Sequence, residues 1–199
     1  MSYGLWDEKR PGSLLKTHNS HLICYTGRMQ ELYTKALVLD RRPVGEADEL
    51  VTFYTEKFGK IYARAKSIRK ITSKVSAHLQ PLGFTQVRFI HRGNFTVLDA
   101  MAETRPRPQL ISIVRLLADM THEWEKDTRL WQYIQRIQIE DIPEKEMNRD
   151  VLALLGFDGR HASCAFCKKE QAYAFLKTRN DFVCRACASK VSESEVVCI

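Results

Sequence analysis

Between Lys35 and Glu103 the sequence breaks into five short segments rich in β-forming residues. They are Ala36–Asp40, Glu49–Thr55, Lys60–Lys66, Gly83–His91 and Asn94–Met101. Glycine and proline punctuate the intervals, and Arg92-Gly93 makes a tight turn between the last two. Five short strands spaced in this way predict a small barrel. The OB-fold is the five-stranded barrel that binds oligonucleotides, and it is the architecture expected for residues 29–104.

The same region carries an unusual charge pattern. The 42 residues from Lys57 to Leu98 contain no Asp or Glu but nine Lys or Arg. Five aromatics are interleaved: Phe58, Tyr62, Phe84, Phe89 and Phe95. Solvated surfaces normally mix both signs of charge, so a long acid-free stretch points to a polyanionic partner. In the third segment, period two places Ile61, Ala63 and Ala65 on one face and Lys60, Tyr62, Arg64 and Lys66 on the other. Cations for phosphates and a ring for bases are the combination that single strands favour. Arg69, Lys70 and Lys74 continue the pattern into a loop, and Arg88 and Arg92 repeat it more weakly in the fourth segment. The candidate nucleic-acid contacts are therefore Lys60, Tyr62, Arg64, Lys66, Arg69, Lys70, Lys74, Arg88 and Arg92. The competing reading is a solvated outer face on which lysines guard a strand edge.

After Pro106 and Pro108 the pattern turns helical. Leu110, Ile113, Val114 and Leu117 make one apolar stripe, widened by Leu116. A second amphipathic stretch runs over Trp124–Ile139, and a third follows Pro143, which suits a first helical position. Gly156 fits the residue just past that third helix. These stripes read as core.

Cys164, Cys167, Cys184 and Cys187 form C-x₂-C-x₁₆-C-x₂-C, a spacing typical of zinc sites. Four thiolates close a tetrahedron around one ion and leave no open position, so the site is expected to be structural, with one Zn²⁺ per chain. Such an ion replaces the core that about 40 residues cannot supply. A redox pair would call for a single C-x-x-C in a thioredoxin-like context, which is absent. Lys168 and Ala188 stand where a tight knuckle often has glycine. Cys24 and Cys198 fall outside the pattern and read as ordinary free thiols.

The resulting expectation is an α+β chain. Residues 1–28 form a poorly structured arm, and Met29 is a candidate alternative start. The OB-fold barrel at 29–104 is followed by a short helical domain at 105–160, a zinc-ribbon-like motif at 161–190 and a tail at 191–199. No apolar run is long enough to span a membrane, and the N-terminus lacks the apolar region of a signal peptide. A cytoplasmic, nucleoid-associated protein is expected. There is no G-x-x-x-x-G-K-[ST], no G-x-S-x-G and no H-E-x-x-H, and the basic stretch has no carboxylates for a two-metal nuclease. An enzyme is not expected.

The order and spacing of several segments resemble the bacterial RecO family of recombination mediators. They are Ala36-Leu-Val-Leu-Asp40, Gly45-Glu-Ala-Asp-Glu-Leu-Val-Thr52, Gly59-Lys60, Ala65-Lys66, Arg69-Lys70 and Leu79-Gln-Pro81, then Leu154-Leu-Gly-Phe157 and the cysteine pairs. The resemblance covers roughly Tyr33 to Cys187. It implies an OB-fold, a helical domain and a Cys₄ zinc motif. It also implies binding of single- and double-stranded DNA, annealing of complementary strands, and RecA loading in recombinational DNA repair. The implied partners are DNA, RecR, single-strand-binding protein and the RecA filament. Under the resemblance, Lys60, Arg64, Lys66, Arg69, Lys70 and Lys74 map onto the DNA-contacting region and the four cysteines onto the zinc ligands. Ser67 departs from the family's usual glycine, the helical part is short, and residues 1–28 have no family counterpart. Alternative readings from the same features are an RNA-binding, translation-associated OB protein with a zinc ribbon, and a protein-interaction scaffold.

Overall fold

The structure is a computed structural model that describes residues 30–168 and 171–199. The expected arm, Met29 and Cys24 lie outside the described residues. Five strands form a closed barrel: β1 (Gln30–Val44), β2 (Asp48–Thr55), β3 (Gly59–Ala65), β4 (Phe84–Arg92) and β5 (Asn94–Ala102). Their order around the barrel is β1-β2-β3-β5-β4, antiparallel except where β3 runs parallel to β5. This is the OB-type arrangement that the strand spacing predicted.

The first strand is far longer than the apolar segment Ala36–Asp40. It closes the barrel by pairing on both edges: residues 30–37 pair with β4 and residues 36–44 with β2. A register shift between Val38 and Asp40 bends it across the closure. Its run Ala36-Leu37-Val38-Leu39 is apolar at every position because both faces are covered. Ala36 and Val38 join the barrel interior with Val51, Phe53, Ile61, Val87 and Phe89. Leu37 and Leu39 point outward into a second core, together with Tyr54 and Phe84.

That second core is built by α1 (Ile111–Met120), α2 (Thr128–Ile139) and α3 (Glu144–Leu154). The expected apolar stripes bury Ile113, Val114, Leu116 and Leu117 from α1, and Leu130, Trp131, Ile134 and Ile137 from α2. The second helix starts later than its apolar pattern suggested. Asp127 caps it, its Oδ1 accepting the backbone N–H groups of Arg129 and Leu130 at 2.8 and 3.1 Å. Trp124 is therefore excluded from α2. Pro143 takes the cap position of α3 rather than its first turn. Gly156 ends α3 as expected, at φ +94°, with Gly156 N–H on the Ala153 carbonyl and Phe157 N–H on the Leu152 carbonyl.

The C-terminal region forms a three-stranded sheet of β6 (Ala174–Leu176), β7 (Asp181–Val183) and β8 (Val196–Cys198), with the one-turn helix α4 at Arg185–Ala188. Residues read from sequence as a tail thus supply β8, which pairs with β6. Phe175 and Val197 reach from this sheet into the helical core. Asn148 on α3 donates to the Cys198 carbonyl at 2.9 Å. No helix among the described residues is long and apolar enough to cross a membrane.

Candidate nucleic-acid interface and metal centre

On β3 the predicted alternation holds: Ile61, Ala63 and Ala65 face the barrel core, while Tyr62, Arg64 and Lys66 are exposed. Lys60 is the correction. It lies on the outward face yet is only 6% exposed, because the chain between α1 and α2 lies over it. Its Nζ donates to the Ala118 carbonyl at 2.8 Å, close to the C-terminal end of α1. Its own carbonyl accepts Trp124 N–H at 3.0 Å. Desolvation by this cover pulls its ammonium below the usual lysine value. Lys60 fastens the barrel to the helices and offers nothing to a phosphate. Gly59 belongs to the same junction. It sits at φ +67°, and a side chain there would collide with the Glu125 carbonyl.

The loop after β3 is built rather than loose. Ile68 is buried in the barrel core. Arg69 N–H donates to the Ala47 carbonyl at 3.0 Å. Ser67 adopts φ +54°, and its N–H donates to Asp48 Oδ1 at 2.6 Å. That left-handed backbone explains why glycine suits this position, and the Asp48 bond explains how serine is accommodated. Arg64 Nε donates to the other oxygen of Asp48 at 2.7 Å. Ser67 first, then Arg64, hold the Asp48 carboxyl below its ordinary value.

The structure also shows what the acid-free stretch conceals. The antiparallel pairing of β2 with β3 returns Asp48 to Arg64. Arg88 carries the Tyr33 ring beneath its guanidinium at 5.9 Å and pairs with Glu31 at 3.6 Å. It lies on the β1–β4–β5 face, separated from β3 by β5. Arg88 is therefore not brought together with the loop cations. Lys66, Arg69, Lys70, Lys74 and Arg92 are exposed and make no ion pair with a described residue. Four of the five flank one loop. Arg92 stands in the β4–β5 turn, and because Phe95 pairs with Ala63 this turn lies toward the Tyr62 end of β3. These cations are open to solvent on the loop after β3 and in the β4–β5 turn, and Tyr62 on β3 is 37% exposed.

The sequence reading marked Ser67 as a departure from the family's glycine but missed Asp48 and Ile68 as residues that shape the loop.

The four cysteines converge. The sulfurs of Cys164, Cys167, Cys184 and Cys187 all lie within 4.8 Å of one another. Cys167 and Cys184 sulfurs are 3.8 Å apart. A tetrahedral ion bound at about 2.3 Å to each sulfur requires edges of about 3.8 Å, so the cluster fits a zinc-sized ion. Backbone N–H groups aimed at the Cys164 sulfur, that of Cys167 foremost, bring its thiol down to about 6 and favour the thiolate a metal needs. The missing glycines are explained. Lys168 itself takes the left-handed conformation, at φ +59°, with its N–H on the Cys164 carbonyl at 2.9 Å. Ala188 lies in α4, where no positive φ is needed. Cys198 is a free thiol outside the cluster.

The family model for the recombination protein O N-terminal domain matches residues 29–106, the barrel and its loop. The DNA repair protein RecO of Thermodesulfovibrio yellowstonii is 26% identical over 190 residues, covering 78% of this chain and 70% of the relative. The chain is similar to the DNA repair proteins RecO, and its barrel matches the N-terminal model of that family. The RecO of Thermoanaerobacter sp. is 23% identical over 186 residues, covering 84% of this chain and 75% of the relative. That of Heliobacterium modesticaldum is 49% identical over 53 residues, a stretch that is 27% of this chain and 19% of the relative.

Proposed function

We propose that the chain is a non-enzymatic recombination mediator that binds single- and double-stranded DNA, anneals complementary strands and assists RecA loading. The observation that carries this reading is the exposure of Lys66, Arg69, Lys70, Lys74 and Arg92, none in an ion pair with a described residue, on a barrel that also exposes the ring of Tyr62. Phosphates take the cations, and the ring offers a stacking face that is indifferent to sequence. Annealing follows because cations that neutralise two strands lower their mutual repulsion. The role needs no covalent chemistry. RecR, single-strand-binding protein and the RecA filament are the partners the family suggests.

In this reading residues 29–104 hold DNA, 105–160 brace the barrel and contact partners, and 161–190 hold a structural Zn²⁺ through Cys164, Cys167, Cys184 and Cys187. The ion supplies a fixed vertex for the two knuckles, and the thiolates supply its complete coordination.

The experiment is single-strand binding against salt. Each phosphate contact adds about −0.7 to the slope, so five cations give a slope near −3.5. Lys66→Glu with Arg69→Glu should flatten it by about 1.4. An unchanged slope would remove the loop from the interface. Acceleration of annealing between strands coated with single-strand-binding protein tests the mediator role itself.

A further inference from the structure

The loop that carries the free cations has an apolar apex. Ile71 is the most exposed large apolar residue among those described, at 105% of its reference surface. Three residues earlier, Ile68 is 1% exposed and anchors the loop in the barrel core. Two consecutive turns, Ser67–Lys70 around that anchor and Lys70–Ser73 beyond it, lead to Lys74. Lys70 N–H closes the first on the Ser67 carbonyl at 3.2 Å, and Ser73 N–H closes the second on the Lys70 carbonyl at 2.9 Å. Ile71 is the first central residue of the second turn. Such positions favour proline and polar residues, and a β-branched apolar side chain gains nothing there from packing. It is held outward by a turn that is fixed at its base by Asp48–Ser67 and Ala47–Arg69. Arg69 and Lys70 precede it and Lys74 follows, all exposed.

We propose that Ile71 is an apolar wedge that inserts between neighbouring bases of bound DNA and unstacks them. The inference rests on the DNA-binding reading of the loop and deepens it. Isoleucine is among the side chains that proteins drive between base steps, with cations beside it engaging the phosphates. Insertion removes from water an aliphatic surface that the folded chain leaves fully exposed. The apex is already held in place by the two turns, so little ordering is needed on binding. A strand whose stack is broken at the loop presents free base edges to a complementary strand.

The test uses a single-stranded, adenine-rich oligonucleotide carrying one 2-aminopurine, whose fluorescence rises when it is unstacked. The unaltered chain should raise the signal on binding. Ile71→Ser should abolish the rise and weaken binding about fivefold. Its salt slope should stay unchanged, because no phosphate contact is lost. Ile71→Leu should keep both the rise and the affinity. Wild-type fluorescence and affinity in Ile71→Ser would overturn the wedge. So would an Ile71→Ser chain that is normal on DNA but has lost binding to phosphatidylglycerol vesicles, which would give the apex to a lipid surface. The charge variant Lys66→Glu with Arg69→Glu separates the two levels. If it leaves the slope intact, the DNA interface fails. If it flattens the slope while Ile71→Ser is silent, only the wedge fails.

Discussion

The barrel and the cysteine module are stabilised in different ways. The barrel interior buries fourteen residues from all five strands and the loop, including Phe53, Ile61, Phe89 and Phe95. The local core of the cysteine module comprises Cys164, Ala174, Leu176, Val183, Cys184 and Ala188, of which two belong to the four-cysteine cluster and two are alanines. A barrel closed on itself has enough apolar surface to hold its shape. A module of three-residue strands does not, and an ion held by its four clustered cysteines would fix its two knuckles. In the module, Cys164 and Cys184 belong both to the cysteine cluster and to the small local core.

The largest effect expected from this difference is loss of the metal. Structural zinc sites contribute on the order of 10 kcal/mol of binding free energy. Replacing Cys164 and Cys167 by Ser should remove about one metal per chain and erase hydrogen-exchange protection in β6, β7 and β8, while β1–β5 stay protected. Equal loss of protection in both regions would show that the module and barrel are one cooperative unit, coupled through Phe175 and Val197. Metal retained at full occupancy would contradict the Cys₄ assignment.

Next comes the junction between barrel and helices. Gly59→Ala forces a side chain against the Glu125 carbonyl in a left-handed conformation, and should cost about 3 kcal/mol in denaturant unfolding. Lys60→Met removes a charged hydrogen bond to Ala118 and should cost about 1.5 kcal/mol, leaving the DNA salt slope unchanged. A slope reduced by a full contact would return Lys60 to the interface. The smallest effect is expected from Arg64→Gln. Its bond to Asp48 is exposed, and stability should change by less than about 1 kcal/mol.

Much of the barrel was legible because alternation has a direct physical cause. One face of each strand is buried, and Lys60–Lys66 alternates accordingly. The pattern failed at Ala36–Leu39, where both faces are covered, so the strand looked short when it was the longest. The second helix was misjudged at Trp124, an aromatic near an apolar stripe. Trp124 instead stacks on Phe95, ring centroids 4.9 Å apart. Asp127 ended that confusion through a cap that apolar periodicity does not register.

The cysteine spacing, the strand alternation and the helix-ending glycine are local signals. Each reports a constraint within a few residues, so the cysteine cluster, the five-stranded barrel and the end of α3 at Gly156 could be read from the chain alone. Net charge at a surface is not local. Nine cations and no acids between Lys57 and Leu98 read as one uniform patch. Folding divides them, because strand pairing brings Asp48 to Arg64 and Glu31 to Arg88, and the α1–α2 connection buries Lys60. Charges interact through space, and the fold sets that space.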